Sequence, residues 1–251
     1  MTIKTAIILA AGMGTRLKEL GKSLPKGFLK LGEKTIIEES IKRLQIAGIE
    51  HIVIVTGHLS EFYKKLKENS QSLRISTIHN PRYADSGSMY SLYCARDLVN
   101  SDFLLLESDL IYEQRALEEI LNFPKDNVIL LSGQTNAGDE VYVSTSGELI
   151  VEMSKSKTDL HHQISGELVG ISKISFPLFN EMLQYATLKF ERSLKVDYEV
   201  DALVRVARSY PIYYKTIADL LWAEIDDSNH LKRAKEKIYP AIIQKDKLLL
   251  I

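Results

Sequence analysis

An α/β fold, with a mainly parallel sheet covered by helices on both faces, is what the sequence predicts. Three observations point there. β-branched runs alternate with segments of helical period, and the first run empties into a loop of small residues. The 251 residues, 45% hydrophobic and 26% charged, have the ordinary mix of one sizeable core, so a single domain over 1–251 is expected.

Taken in order, Lys4 to Leu9 reads as a buried strand that stops at the tight loop Ala10-Ala11-Gly12-Met13-Gly14. Thr35 to Ala47 places Ile37, Ile41 and Leu44 at helical spacing and ends at Gly48. His51 to Thr56 follows as a β-branched strand, which completes a βαβ unit. Ser60 can cap a helix through Asn69, and Arg74 to Ile78 is a strand. Phe103 to Glu107 is another strand, ahead of a helix over Glu113 to Leu121. The second half changes character. Val141 to Ser144 and Leu149 to Met153 flank Ser146-Gly147 as a hairpin, and Glu167 to Ile174 is a further long strand. Helices are expected over Phe176 to Ala186 and Tyr198 to Arg208, short strands over Pro211 to Tyr214 and Trp222 to Ile225, and a closing helix over Ser228 to Ile238. Lys155 to His162 reads as a mobile polar loop, and Leu248 to Ile251 as an apolar tail, the first strand of a longer chain.

Composition excludes several classes. With 32 basic against 33 acidic residues, no overall field draws the protein to nucleic acid or an anionic membrane surface. The basic residues Lys232, Arg233, Lys235 and Lys237 are interrupted by Glu236 and read as a solvated helix face. One cysteine, Cys94, rules out an intrachain disulfide framework and a cysteine-built zinc site; it reads as a packed apolar side chain in a reducing compartment. No apolar run approaches the roughly 20 residues that span a bilayer, so a soluble, cytoplasmic protein is expected. The His161-His162 pair lies in a polar loop with no third ligand at useful spacing and reads as solvent-facing.

The stretch that carries chemistry is Leu9-Ala10-Ala11-Gly12-Met13-Gly14-Thr15-Arg16-Leu17, followed by Pro25-Lys26. Small residues let successive backbone N–H groups approach phosphate oxygens, and two cationic side chains can neutralise the remaining charge. A dinucleotide fingerprint would need a third glycine where Leu17 stands, and a Walker loop would need Gly-Lys-Ser or Gly-Lys-Thr; neither is present. Two glycines after a strand also serve purely steric turns, and Arg16 and Lys26 weigh against that reading.

The Ala10 to Leu17 and Pro25 to Leu31 stretches resemble the signature of nucleotidyltransferases that activate phosphorylated acceptors with a nucleoside triphosphate, a family with a Rossmann-like sheet. Asn80-Pro81-Arg82-Tyr83 with Ser88-Met89-Tyr90-Ser91-Leu92 is similar to the segment that small-alcohol cytidylyltransferases place beside base and acceptor, which narrows the branch to CTP. The resemblance implies a nucleotide-binding part over about 1–130 and an acceptor-binding, metal-completing part over about 131–251. It implies nucleotide contacts from Leu9, Ala10, Ala11, Gly12, Gly14, Thr15, Arg16, Lys26 and Ser88, with Lys26 and Arg16 as the catalytic cations. Asp109 and Asp226 match the family's two magnesium-binding carboxylates. Such hard oxygen ligands suit Mg2+, which keeps waters and takes further oxygens from the triphosphate. Each aspartate can alternatively be a helix cap, with Asp227 able to cap the last helix while Asp226 faces inward.

Two close branches differ in the acceptor's cation. A quaternary ammonium is held by aromatic faces, whereas a primary ammonium has three donors that want oxygen acceptors. Where phosphocholine cytidylyltransferases would carry cage tryptophans, this sequence has Val141 and Val200; Trp222 is its single tryptophan. The same segments hold Tyr142, Asp197 and Glu199, candidates for an ammonium, with Ser88 either touching the acceptor or capping the next helix. The expected reaction is transfer of CMP from CTP to 2-aminoethylphosphonate, with phosphocholine and then sugar-1-phosphate acceptors as alternatives, and a nucleotide-binding regulator as the non-enzymatic one. The resemblance also implies a fused or associated aminotransferase, and leaves the oligomeric state open.

Overall fold

The computed structural model describes residues 3–68, 73–138 and 140–249. Its strands are β1 (Thr5–Ala10), β2 (His51–Thr56), β3 (Arg74–His79), β4 (Phe103–Glu107), β5 (Leu110–Tyr112), β6 (Val128–Ser132), β7 (Tyr142–Ser146), β8 (Leu149–Ser154), β9 (Ile164–Ile174), β10 (Tyr213–Ile217) and β11 (Trp222–Glu224). Nine of them form one mixed sheet in the order β3-β2-β1-β4-β9-β6-β10-β8-β7. The first four are parallel, and β6 with β10 is parallel too; β9 runs against β4, β6 and β7. β5 and β11 leave this sheet to form an antiparallel ribbon.

The apolar run of β1 follows from its central place. Successive side chains point to opposite faces, and both faces are covered. Ala6 and Ile8 join Ile52, Ile54, Leu104 and Leu106 in one core, while Ile7 and Leu9 join Val53, Val55 and Leu105 in the other. The covering helices are α1 (Glu19–Ser23), α2 (Ile36–Ile46), α3 (Glu61–Glu68), α4 (Ser88–Cys94), α5 (Arg115–Asn122), α6 (Phe176–Phe190), α7 (Val204–Val206, continuing a widened helical stretch from Tyr198), α8 (Ser228–Arg233) and α9 (Tyr239–Leu249). α2 starts on a capping box: the Glu38 N–H donates to the Thr35 hydroxyl, and the Glu38 carboxylate accepts from the Thr35 N–H. Ser175 caps α6 by accepting from the Leu178 N–H.

β6, over which the sequence reading places no element, has four apolar residues and then Ser132, a run that periodicity cannot tell from a buried helix segment, and only its place between β9 and β10 defines it. Other expectations change. The closing helix does not stop at Ile238 but passes through a widened turn, Ala234–Ile238, into α9. Leu248 and Leu249 therefore end a helix rather than begin a strand, while Leu250 and Ile251, like Asn69, lie outside the described residues. At the end of the polar loop Lys155 to His162, the Glu152 carboxylate accepts from the backbone N–H groups of His161 (2.8 Å) and His162 (3.2 Å).

α9 is clasped to the core by charge. Asp246 accepts from Arg43 of α2 at 2.5 Å and from the Gln114 N–H before α5 at 2.9 Å, and Lys245 lies 3.0 Å from the fully buried Glu113. Among the described residues no helix is long and apolar enough to cross a membrane.

Candidate active site

Parallel strands of an open sheet bind ligands beyond their carboxyl ends, where loops and helix starts converge. Here β1 ends at Ala10 and β4 at Glu107. The chain leaves β1 through Gly12 and turns at Gly14, whose φ of +60° is the left-handed conformation that suits glycine. Leu9, Ala10, Ala11 and Gly12 line a cavity of about 250 Å³ with Lys26, Ser88, Asp109 and Asp197. Gly14 and Thr15 do not line it, and Arg16 lines a second, larger cavity of about 580 Å³.

Lys26 joins the two aspartates singled out from sequence. Its ammonium donates to Asp109 Oδ2 at 2.6 Å and also to Asp226 Oδ1, while Arg16 donates to Asp226 Oδ2 at 2.9 Å. Asp227, the next residue, caps α8 by accepting from the N–H groups of Asn229 and His230, which leaves Asp226 turned inward. Burial opposes the charge on Lys26, but Asp109 and Asp226 outweigh it and hold the ammonium well above the ordinary lysine range.

More carboxylates stand behind this triad. Carboxylate oxygens of Glu107, Asp109 and Glu224 lie within 4.8 Å of one another. Tyr198 donates to Glu107 Oε1 at 2.9 Å, and Gly170, at φ +77°, leaves room beside it: a Cβ there would lie 3.1 Å from Leu110 and 3.6 Å from the Glu107 carboxyl carbon. Burial, then Glu199 and Asp109, push the Glu107 carboxyl up; burial and Asp197 push Glu199 up to about 7. Glu224 is also pushed well up, chiefly by burial and then by Asp109. Such a surplus of hard oxygen donors fits a divalent cation such as Mg2+. Asp109 belongs to this group, joined by Glu107 and Glu224, whereas both oxygens of Asp226 are engaged by Lys26 and Arg16.

The two cavities adjoin. Glu107, Glu199, Glu224 and Lys155 line both cavities and so form their shared wall. Ser88 is the first residue of α4 rather than its cap; its hydroxyl accepts from the Tyr198 N–H at 2.9 Å and is 3.2 Å from Glu199 Oε2. Tyr142 lines the larger cavity, with its hydroxyl donating to Glu140 at 3.2 Å and its ring face covered by the Lys157 ammonium at 4.6 Å. Val141 and Trp222 line it as well, the tryptophan only 9% exposed. Asp197 lies 3.9 Å from Lys155. His161 and His162 stand apart, exposed and paired with Glu152.

A sequence profile described as Nucleotidyl transferase matches residues 5–131, half of the chain, from the start of β1 into β6. The chain belongs to the nucleotidyltransferase family. It is 25% identical over 245 residues to the CMP-5'-(3-aminopropyl)phosphonate synthase of Streptomyces rubellomurinus, an alignment that takes in 94% of this chain and 39% of that longer protein. It is 29% identical over 176 residues to the 2-aminoethylphosphonate cytidylyltransferase of Lancefieldella rimae, covering 68% of this chain and 67% of that one. The solved structure of CTP:phosphocholine cytidylyltransferase from Streptococcus pneumoniae shares the fold, with a TM-score of 0.71 at 21% identity over 94% of this chain and 99% of that chain.

This nucleotidyltransferase also has site residues that the sequence reading does not single out. Glu107 and Glu224 each lie two positions before a chosen aspartate, on the same strand end, so a two-residue period could have found them. Lys155 sits in a polar loop whose composition says only solvent, and nothing local in the sequence marks its approach to Asp197.

Proposed function

We propose that the protein transfers CMP from CTP to a small aminoalkyl phosphonate, of which 2-aminoethylphosphonate is the parent compound, and releases pyrophosphate. The observation that carries this reading is the wall of Glu107, Glu199 and Glu224 in the larger cavity, which takes the acceptor. A primary ammonium can donate to those oxygens, while the one tyrosine face among the cavity-lining aromatics already holds the Lys157 cation. Similarity to relatives named for aminoalkyl phosphonates supports the same class.

The nucleotide's phosphates would lie against the backbone of Ala10 to Gly12, with Lys26 neutralising charge at the α-phosphate and Arg16 receiving the departing pyrophosphate. Lys155 would receive the acceptor's phosphonate, and Glu199 its ammonium. A phosphonate oxygen attacks the α-phosphorus as the bond to pyrophosphate breaks; since that oxygen is already anionic near neutral pH, no general base is needed. Asp109 would hold Mg2+ with Glu107 and Glu224 within reach, Asp226 would join it only where Lys26 and Arg16 turn to the phosphates, and the ion would supply charge neutralisation there.

Pyrophosphate release with CTP and Mg2+, run against 2-aminoethylphosphonate, phosphoethanolamine, phosphocholine and glucose-1-phosphate, tests this. The expected result is highest kcat/KM with the phosphonate. Preference for phosphocholine would transfer the acceptor role to Trp222, and a preference for glucose-1-phosphate would end the aminoalkyl reading.

A further inference from the structure

The larger cavity is oversized for a two-carbon aminophosphonate. Such an acceptor fills the room of about five waters, roughly 150 Å³ at ~30 Å³ each, against about 580 Å³ here. Its charge is also divided. The carboxylates Glu107, Glu199 and Glu224 belong to the wall shared with the nucleotide cavity, whereas Arg233, His230 and Glu140 line the larger cavity alone, as do Arg16 and Asp226, which pair with each other.

Arg233 ends α8 and is partly buried. Its Nη2 donates to the Thr135 carbonyl at 3.2 Å, and no described carboxylate pairs with it. Glu140, the acid on the same stretch of wall, accepts from the Tyr142 hydroxyl at 3.2 Å and from backbone N–H groups of its own loop. A guanidinium has five N–H donors in a planar fork that matches a carboxylate, so one bond to a carbonyl leaves most of that capacity open.

Resting on the reading of this cavity as the acceptor site, we propose that Arg233 forms a subsite for a second anion, and that the preferred acceptor carries a carboxylate as well as its ammonium and its phosphonate or phosphate. The acceptor class is then an amino acid bearing a terminal phosphonate or phosphate ester. Its phosphorus-bearing end lies at the shared wall with Lys155, its ammonium by Glu199, and its carboxylate reaches toward Arg233. Arg16 is a poorer partner for that carboxylate, because it is committed to Asp226 at 2.9 Å.

Two matched pairs of acceptors isolate the carboxylate: 2-aminoethylphosphonate against 2-amino-3-phosphonopropionate, and phosphoethanolamine against O-phosphoserine. Within each pair the molecules differ by that one group, and comparison between pairs distinguishes phosphonate from phosphate ester. The expected result, by pyrophosphate release, is at least a tenfold higher kcat/KM for the carboxylated member, expressed mainly in KM. Arg233→Gln keeps a donor for the Thr135 carbonyl but removes the charge and should bring the within-pair ratio to about one. Arg233→Lys should retain a clear preference. Equal or lower kcat/KM for both carboxylated acceptors, with 2-aminoethylphosphonate turned over, overturns the subsite and leaves the proposed function standing; a preference that survives Arg233→Gln also overturns it. Absence of turnover with all four overturns the reading on which the subsite rests.

Discussion

The smaller cavity begins with one stretch of chain, Leu9 to Gly12, with Lys26 close behind in sequence, and takes the rest of its lining from residues as distant as Glu224. The larger draws its walls from Arg16, β4, Thr135 to Gly138, Glu140 and Val141, the start of β7, Lys155 after β8, β9, the helical stretch from Tyr198, β11 and α8. The first joins backbone and small side chains, Ala10 to Gly12 and Ser86 to Ser88, to charged ones that include Lys26 and Asp109. The second adds charged side chains brought together across the fold, Arg16, Glu140, Asp226 and Arg233. Scattered side chains of the second kind can vary while the loop after β1 stays fixed, which accords with the varied acceptors named for the chain's relatives.

Substitutions sharpen this contrast, beginning at the junction. Lys26→Met should reduce kcat/KM by about 10³ or more with every acceptor, since the charge it neutralises belongs to the transferred nucleotide. It also leaves Asp109 and Asp226 facing each other without their cation, so a loss of roughly 3 kcal/mol in denaturant unfolding is expected. Selective loss with one acceptor would move Lys26 to the acceptor side. Asp109→Asn should cost on the order of 10² in kcat and shift the Mg2+ dependence to higher concentration; an unchanged Mg2+ titration would remove Asp109 from the metal site.

The acceptor side should respond more narrowly. Glu199→Gln should raise the KM for 2-aminoethylphosphonate about tenfold while the CTP KM moves little, and equal changes would break the division between the cavities. The same variant has a pH signature without substrates. The Glu199 carboxyl stands near 7 in the folded chain against an ordinary 4.5, so its contribution to stability is present below pH 4.5 and is lost as pH rises through 7. Glu199→Gln should therefore melt with the wild type near pH 5 and on the order of 5 °C above it at pH 8. A gap that is constant with pH would show that burial does not hold the proton there.

The same contrast explains what the sequence could reveal. β1, α2 and β2 are legible because burial on both faces, a capping box and a βαβ spacing are written within a few dozen residues. Asp109 and Lys26 are legible because each closes a local pattern. The approach of Lys155 to Asp197, or of Arg233 to the loop at Thr135, is fixed by sheet order, and the order places β9 between β4 and β6, a choice no local period records. Tyr142 has the right residue type for an acceptor contact, yet its hydroxyl and its ring face are engaged by Glu140 and Lys157.

The clasp of α9 has a consequence for synthesis. Arg43 and Asp246 are 203 residues apart, and Glu113 meets Lys245 across 132. Chains emerge from the ribosome at roughly 5–20 residues per second, so about ten seconds or more separate the two halves of the longer bond. During that interval β1 to β4 can pair and the loop after β1 can form, while Asp226 and the final helix are still unmade. A stalled nascent chain that ends before β11 would thus carry the loop after β1, Lys26 and Asp109 without Glu224 and Asp226. Synthesis of the segment from β11 through α9 therefore brings in both the clasp and the carboxylates Glu224 and Asp226.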